Sequence, residues 1–255
     1  MIDLHAHVLP GVDDGPATEQ EAVEVAAAAA AEGVRTLVAT PHVRPDHPRV
    51  RPDELADRTR SLQAAVGAAG VELELLPGGE VDLVWAQTAD DRALREVSIG
   101  GAGRYLLVET PYGELPGTFE DLLFQVAARG YGILLAHPER SPTLQRTPER
   151  AAGLAQRGIM LQLTAAAVVT PPDRSRSRRL ARRLLVDGVA HVLASDRHGS
   201  AIGRAGLDAA VGAASQLVGE RAGWMVRELP AALLAGEPPP RLPEPRRQRR
   251  WRVRG

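Results

Sequence analysis

Two pairs of potential metal ligands share the same spacing near opposite ends of the chain. His5 and His7 lie two positions apart, and so do Asp196 and His198. On a β-strand, residues two apart point to the same face, so each pair can present two side chains to one metal ion. A lone pair of this kind is more often simply two polar residues at a strand end. The pairs therefore indicate a metal site only if the fold brings them together.

Further potential ligands follow other apolar runs of the sequence. They are His42, Glu80, Glu109 and His137, with Asp13 and Asp14 in the loop after the first run. Any one of them could be a solvated loop residue or a capping group. As a set they favour metal binding, because five of the seven histidines fall at the ends of predicted strands. Glu80 and Glu109 follow buried runs, where an ionised carboxylate is costly unless a cation or donor compensates it.

Seven short apolar runs predict the strands that position these residues. They cover Ile2 to Val8, Thr36 to Thr40, Val71 to Leu76, Tyr105 to Glu109, Gly132 to Ala136, Ile159 to Leu163 and His191 to Ala194. Continuous apolar runs are typical of parallel strands covered by helices. Their recurrence at roughly 30-residue intervals fits βα units. In a parallel barrel the strand ends meet at one mouth, where such folds place their active sites.

Local signals predict the first helix and two irregular segments. Thr18 is the N-cap, Glu21 completes a capping box, and Gly33 ends the helix. Pro41 to Pro52 is predicted to be a stiff basic loop, whose arginines should overhang the mouth; these arginines are Arg44, Arg49 and Arg51. From Gly236 onward the chain is rich in Pro and Arg, carries seven Arg against two Glu, and is predicted to be disordered. The predicted domains are a barrel over residues 1–235 and a tail over residues 236–255.

Composition excludes several classes of chemistry. All 31 basic residues are Arg, so lysine Schiff bases, P-loops and lysine bases are excluded. Cys is absent, which excludes disulfides, zinc fingers, iron–sulfur clusters and thiolate catalysis. Aromatic residues make up only 3%, which argues against stacking on single-stranded nucleic acid. With no membrane-length apolar run and no leader before His5, we expect a cytoplasmic protein.

The motifs together resemble the PHP (polymerase and histidinol phosphatase) superfamily of phosphoesterases. They are most similar to the manganese-dependent protein tyrosine phosphatases of bacterial capsule and exopolysaccharide operons. The resemblance runs from Met1 to about Leu234 and rests on Asp3-Leu4-His5-Ala6-His7, Val12-Asp13-Asp14-Gly15, Ala39-Thr40-Pro41-His42, Leu76-Pro77-Gly78-Gly79-Glu80, Leu106-Leu107-Val108-Glu109, Ala136-His137-Pro138-Glu139-Arg140 and Ala194-Ser195-Asp196-Arg197-His198. It implies an α/β fold, specifically a distorted seven-stranded (βα) barrel. The metal ligands that it implies are His5, His7, Asp14, His42, Glu80, Glu109, His137, Asp196 and His198.

This ligand set suits a phosphate substrate. Four carboxylates and five neutral imidazoles carry a charge of −4, so three divalent ions leave about +2 and two ions only neutrality. Nitrogen and oxygen donors suit Mn, Fe or Zn, and the resemblance implies Mn²⁺, as two or three ions. Arg140 is predicted to bind the phosphoryl group, with a surface salt bridge as the alternative. Arg204 resembles a second phosphate-binding arginine, and Asp196, Glu109 or a metal could each assist the leaving group.

The resemblance implies a phosphotyrosine-bearing bacterial kinase, or its C-terminal tail, as the partner. The arginines of the loop from Pro41 to Pro52 should attract an acidic phosphopeptide. The alternatives are a small-molecule phosphatase, such as one for histidinol phosphate, and a non-catalytic, metal-stabilised phosphotyrosine-binding module. A nucleic-acid partner is not expected, because Lys is absent and the body is acidic. The basic tail could make weak contact with the inner face of the membrane. Val43-Arg44-Pro45 and Gly199 depart from the family pattern, so specificity is expected to differ. The sequence gives no indication of the oligomeric state.

Overall fold

The computed structural model describes residues 1–169, 175–199 and 206–243 of the chain. Its strands are β1 (Ile2–His7), β2 (Thr36–Ala39), β3 (His42–Val43), β4 (Glu74–Pro77), β5 (Glu80–Val81), β6 (Tyr105–Glu109), β7 (Gly132–Ala136), β8 (Met160–Thr164), β9 (Val192–Ala194) and β10 (Arg197–His198). Its helices are α1 (Glu19–Ala31), α2 (Leu55–Ala68), α3 (Leu83–Thr88), α4 (Asp91–Glu96), α5 (Phe119–Ala127), α6 (Pro142–Arg146), α7 (Pro148–Gln156), α8 (Ala165–Val169), α9 (Arg176–Val186), α10 (Leu207–Val218), α11 (Arg221–Trp224) and α12 (Glu228–Leu234). Helices alternate with strands along most of the chain, as expected for an α/β fold.

The strands form two parallel sheets that share three broken strands. One sheet has the order β10-β1-β2-β4, and the other has the order β3-β5-β6-β7-β8-β9. Within each sheet, every pairing of neighbouring strands is parallel. The chain passes from one sheet to the other between β2 and β3, between β4 and β5, and between β9 and β10. All seven predicted strands are present, and the three two-residue strands β3, β5 and β10 were not predicted.

Two glycines make the break between β4 and β5 sterically feasible. A Cβ atom on Gly78 would lie 2.8 Å from Val38 Cγ1, and one on Gly79 would lie 2.6 Å from Val43 Cγ2. Both distances are shorter than packed atoms allow, so only glycine fits here. The break carries the chain directly to Glu80, whose amide donates to the Pro41 carbonyl at 3.1 Å. A substitution at either glycine would therefore disturb the position of Glu80.

The predicted capping box of the first helix is confirmed, whereas the predicted start of the third strand was wrong. The Thr18 side chain accepts from the Glu21 amide, and both halves of the capping box are present. The third predicted strand starts at Glu74 and not at Val71. The reason is that the Val71 amide donates to the Val66 carbonyl at 3.2 Å, which continues the turn that ends α2.

The core lies between the strands and the helices that cover them. Strands β6 and β7 are buried along almost their whole length, including Leu106, Leu107 and Leu134 at 0% exposure. Aliphatic residues dominate this core, in keeping with the scarcity of aromatic residues in the sequence. Polar side chains are buried mainly at the carboxyl ends of the strands. These buried polar groups require partners there.

The start of the predicted tail contacts the folded body. The Tyr105 hydroxyl donates to the Glu237 carbonyl at 2.6 Å, and the Glu237 amide donates to the Ala232 carbonyl at 2.9 Å. Residues 244–255 of the predicted tail lie outside the described residues, so its disorder and the boundary at residue 235 stay predictions. In the described part of the chain, no helix has the length and apolar character needed to cross a membrane.

His191 lies directly before β9, and we expect its protonation to lower the stability of the folded protein in acid. His191 Nδ1 accepts from the Leu161 amide at 3.1 Å. Burial and the nearby Arg221 guanidinium lower the pKa of His191 to about 4. Between pH 6.5 and 4, the unfolded chain therefore binds a proton at His191 that the folded protein excludes. The contribution of neutral His191 to the free energy of unfolding is complete above pH 6.5 and is lost as the pH falls towards 4.

We expect His191→Gln to reduce the loss of stability on acidification. Gln can still accept from the Leu161 amide but has no proton to gain. The drop in unfolding free energy between pH 7.5 and 4.5, measured by urea denaturation, should be smaller by about 2 kcal/mol in the variant. An identical pH dependence in the two proteins would show that His191 is not the responsible group.

Candidate metal centre

The carboxyl ends of the strands bring all nine predicted ligands together. The potential ligand atoms fall into four overlapping groups, and within each group they lie within 4.8 Å of one another. The groups are His7, Asp14, His42 and His198; His5, His137 and Asp196; His5, His7 and Glu80; and His42, Glu80 and Glu109. All but Asp14 and His198 are buried. The arrangement therefore offers donor sets for more than one metal ion.

The broken strands are what place several of these side chains. His42, Glu80 and His198 lie on the two-residue strands β3, β5 and β10. Parallel pairing sets His42 beside Glu80 and His7 beside His198. Without the breaks, these residues would follow the direction of the preceding strand. The passage of the chain from one sheet to the other thus places these side chains around the site.

Two other candidate ligands have strained backbones. His137 has a φ of 34° and Asp196 has a φ of 52°, and they are the non-glycine residues with positive φ in the described ranges. Side chains with a Cβ rarely adopt this conformation, and such strain is concentrated at functional sites. It aims both side chains inward at the ends of β7 and β9.

Glu80 lies at the centre of the cluster. Its Oε1 lies 2.8 Å from His137 Nε2, and its Oε2 lies 3.0 Å from His42 Nδ1. Oε2 also lies 3.4 Å from His7 Nε2 and 3.5 Å from His5 Nε2. Glu80 Oε2 and His42 Nδ1 are nevertheless buried without a hydrogen bond. An oxygen surrounded by three imidazole nitrogens and lacking a hydrogen bond suits a bound cation.

The electrostatics of the cluster also favour cations. Burial disfavours the charged form of Glu80, but the charge of His5 and the hydrogen bond to His137 hold the pKa of Glu80 well below its usual range. Burial likewise opposes charge on His7, yet the hydrogen bond to Asp13 and the negative charges of Glu80 and Asp13 raise the pKa of His7 to about 10. Positive charge beside these carboxylates is thus strongly stabilised. Divalent ions would supply it in place of protons.

Asp196 joins the cluster to Arg140. Its Oδ1 lies 3.4 Å from His5 Nε2 and has no hydrogen bond, although it is buried. Its Oδ2 accepts from Arg140 Nη2. Burial opposes ionisation, but the charges of His5 and Arg140 lower the pKa of Asp196 below its usual range. The Arg140 side chain is 31% exposed, so part of it is accessible to solvent beside the cluster.

Two side chains that orient candidate ligands were missed as such from the sequence. Gln162 Oε1 lies 3.0 Å from His5 Nδ1, and Asp13 Oδ2 lies 2.8 Å from His7 Nδ1. Partners of this kind fix the orientation and tautomer of an imidazole ligand. Gln162 could have been noticed as a polar residue inside an otherwise apolar strand. Asp13 was noticed as a loop carboxylate, but its contact with His7 depends on the fold.

Of the arginines predicted to overhang the mouth, Arg44 contacts the site. Its Nη1 donates to both carboxylate oxygens of Glu109 at 3.1 Å. Arg49 instead donates to the Gly11 carbonyl at 3.1 Å, and Arg51 pairs with Asp53 and Glu54, directly before α2. These two side chains hold the loop in place. Arg204 lies outside the described residues.

An aromatic ring is exposed beside the cluster. Tyr112 follows β6 and is 52% exposed. Its ring is stacked on His137, with centroids 6.0 Å apart and planes at 22°. Burial on one side and the charge of Glu109 raise the pKa of the Tyr112 hydroxyl, so the ring is neutral at physiological pH. It offers an apolar face at the mouth.

The fold and site define a class of protein, a metal-dependent enzyme with a parallel α/β fold and a shared cluster of imidazoles and carboxylates. Comparison with known families then identifies the family within this class. The model of the capsular polysaccharide synthesis family CpsB/CapC matches residues 1–229. The chain therefore belongs to the CpsB/CapC family.

Relatives and solved structures agree with this assignment. The chain is 29% identical to the tyrosine-protein phosphatase YwqE of Bacillus subtilis, over 78% of this chain and 77% of YwqE. It is 30% identical to the putative tyrosine-protein phosphatase CapC of Staphylococcus aureus, over the same shares of each chain. A crystal structure reported for the metal-dependent tyrosine phosphatases YwqE and CpsB superposes with a TM-score of 0.85 and 26% identity, covering 97% of this chain and 100% of that one. A mutant organophosphorus hydrolase, at 16% identity and a TM-score of 0.52 over 91% of this chain and 92% of its own, shares the fold alone.

Proposed function

We propose that this protein is a metal-dependent protein tyrosine phosphatase. The observation that carries the proposal is the orphaned Glu80 Oε2, which lies within 3.5 Å of three imidazole nitrogens. It is supported by membership of the CpsB/CapC family and by the phosphatase relatives. We also infer that the two sheets together form a distorted barrel of seven strand positions, since each broken strand contributes to both.

The proposed metal ligands are the nine clustered side chains, and the proposed metal is Mn²⁺, as two or three ions. Imidazole and carboxylate donors without thiolate fit Mn²⁺, although Fe and Zn share this preference. When bound, such ions supply positive charge for phosphate and activate water at neutral pH. Asp13 and Gln162 would hold His7 and His5 in their ligating orientation.

Arg140 is proposed to bind the phosphoryl oxygens. Its guanidinium is anchored by Asp196, a candidate metal ligand, and its side chain is partly exposed to solvent. This arrangement allows a two-pronged hydrogen bond to a phosphate without prior rearrangement. Charge that develops on the equatorial oxygens would be stabilised by the same donors. Arg204 stays a proposed second donor, on sequence grounds alone.

The proposed partner is a phosphorylated bacterial tyrosine kinase that controls polysaccharide synthesis or export, recognised through its C-terminal tail. Support for this comes from the family, which is described as one of capsular polysaccharide synthesis. A cytoplasmic location, with the basic tail near the inner face of the membrane, would place the protein within reach of such a kinase. Small-molecule phosphatase activity is the main alternative. A non-catalytic binding module fits less well, because all nine ligands are present.

Substrate profiling separates these possibilities. Purified protein should be assayed on a phosphotyrosine peptide and on histidinol phosphate, each with Mn²⁺, with Zn²⁺ and with chelator. We expect phosphate release from the peptide with Mn²⁺, little release from histidinol phosphate, and none with chelator. Preference for histidinol phosphate would establish the small-molecule alternative. Peptide binding without turnover under every metal condition would establish the binding module.

Tyr112 provides a prediction about substrate preference. The phenyl ring of a phosphotyrosine held at Arg140 can pack against the exposed face of Tyr112, because that ring lies beside His137. Aromatic pairs of this kind contribute about 0.5–1.5 kcal/mol beyond burial. Tyr112→Ala should therefore lower kcat/KM for aryl phosphates about tenfold and leave an alkyl phosphate within twofold.

The matched control is Tyr112→Phe, which keeps the ring and removes the hydroxyl. We expect it to behave like the wild type on both substrates. If Tyr112→Ala lowered turnover of aryl and alkyl phosphates equally, the ring would be supporting His137 and would not contact the substrate.

A further inference from the structure

A second, strongly basic groove lies outside the candidate metal centre. It is a cavity of about 340 Å³ between α6, the start of α7 and one face of α9. Four guanidinium groups line it, those of Arg146, Arg176, Arg179 and Arg183. We propose that this groove binds an acidic segment of a polypeptide substrate, at a distance from the phosphotyrosine. This proposal rests on the proposed function for its link to catalysis, but the binding itself is testable alone.

Helix α9 is built to present arginines outward. It contains five arginines in 11 residues and no acidic residue. Its apolar side chains, including Leu180 and Leu184, face the core. A concentration of one charge on an exposed face creates a local positive potential, even in a chain whose net charge is −1. Such a surface attracts anionic partners.

Only part of this positive charge is balanced within the described residues. Arg183 pairs with Glu149 at 2.9 Å and with Asp187 at 3.3 Å, and Arg146 pairs with Glu114. Arg176 and Arg179 make no ion pair or side-chain hydrogen bond with any described residue. Among the described residues, therefore, nothing occupies the donors of these two guanidiniums, which line the same cavity. Planar guanidinium groups match carboxylates well, through paired hydrogen bonds.

One residue connects the groove to the candidate metal centre. Gln145 lines the groove, and its Nε2 donates to the carbonyls of Glu139 and Arg140 at 2.8 and 3.3 Å. The wall of the groove is thus the same turn that holds Arg140. A polypeptide whose phosphotyrosine reaches Arg140 can extend across this turn into the groove. The groove is recessed and also lined by Pro148 and Leu180, which suits an extended chain better than the flat surface of a bilayer.

Binding can be measured without relying on turnover. The probe is a fluorescent peptide with a stretch of glutamates and no phosphotyrosine, compared with a glutamine version by anisotropy. In Arg176→Ser/Arg179→Ser, affinity for the acidic peptide should fall about tenfold. The control is Arg178→Ser/Arg182→Ser, which removes the same charge from α9 at positions that do not line the groove. We expect it to bind within twofold of the wild type.

Equal losses in the two double variants would overturn the proposal, because the effect would then be one of overall charge. So would equal binding of the acidic and neutral peptides by the wild type. Sedimentation with vesicles of anionic phospholipid provides a further check. If the groove variant lost vesicle binding but kept peptide binding, the groove would be a lipid site and the proposal would be wrong.

A turnover arm separates this proposal from the proposed function. Phosphotyrosine peptides carrying glutamates on the amino side, on the carboxyl side or on neither side should be compared. In the groove variant, KM should rise about tenfold for the acidic peptide whose glutamates lie on the side that reaches the groove. Its kcat should stay unchanged, and so should KM for the neutral peptide. If no peptide is dephosphorylated by the wild type, the proposed function fails, whereas the anisotropy result still decides the fate of the groove.

Discussion

Glu80→Gln should abolish phosphatase activity while leaving the fold intact. The substitution keeps the size of the side chain but replaces one carboxylate oxygen by an amide nitrogen. Both oxygens, Oε1 and Oε2, lie within 3.5 Å of imidazole nitrogens, and the amide ligates metal poorly. Loss of a partner that merely orients a metal ligand costs about 10- to 100-fold in activity or metal affinity. A central ligand should cost more, so kcat/KM should fall by more than about a hundredfold. Metal content per chain should fall in parallel.

Glu72→Gln is the matched control for this experiment. Glu72 is exposed just before β4, and its substitution removes the same charge from the same segment. It should retain wild-type turnover and metal content. If Glu80→Gln kept near-native activity with a normal circular dichroism spectrum, the metal mechanism would be wrong.

Arg140→Ala should lower kcat/KM without removing metal. The guanidinium is anchored by Asp196 beside the metal ligands and the side chain is partly exposed, so its loss should remove a donor to the phosphoryl group. Removal of such a charge-stabilising donor costs about 2–4 kcal/mol, which is roughly 30- to 1,000-fold in rate. Inhibition by inorganic phosphate should weaken as well. Metal content, measured by mass spectrometry, should stay within error of the wild type.

Arg140→Lys and Arg92→Ala refine this test. Lys keeps the charge but lacks the planar fork, so it should recover only part of the lost activity. Arg92 is an exposed helical arginine paired with Glu96, and its substitution should have no effect on turnover. A kcat/KM for Arg140→Ala within threefold of the wild type would reduce Arg140 to a structural partner of Asp196.

Much of the fold could be predicted because its signals are local. Continuous apolar runs identified the positions of β1, β6 and β7, and the capping box at Thr18 identified α1. Side chains at the ends of such runs converge because parallel strands place their carboxyl ends at one edge. For this reason eight of the nine candidate ligands could be named from the strand ends, whereas the choice of Asp14 over Asp13 came from the family resemblance.

The remainder depends on contacts between distant segments. The two-residue strand that carries Glu80 exists because Gly78 and Gly79 pack against side chains of β2 and β3, which no local pattern encodes. Gln162 contacts His5 across 157 positions of sequence. The direction of Arg49 towards Gly11 likewise follows from the folded loop and not from its charge. Strand breaks and orienting contacts of this kind were therefore beyond the reach of the sequence patterns.

Reconstitution of activity by metal tests the central claim most directly. The protein should be stripped with chelator, verified as metal-free by mass spectrometry, and titrated with Mn²⁺ while phosphate release from a phosphotyrosine peptide is followed. The account predicts no turnover in the stripped protein, recovery with added Mn²⁺, and saturation at two or three equivalents per chain. Full turnover of the peptide by verified metal-free protein would contradict it.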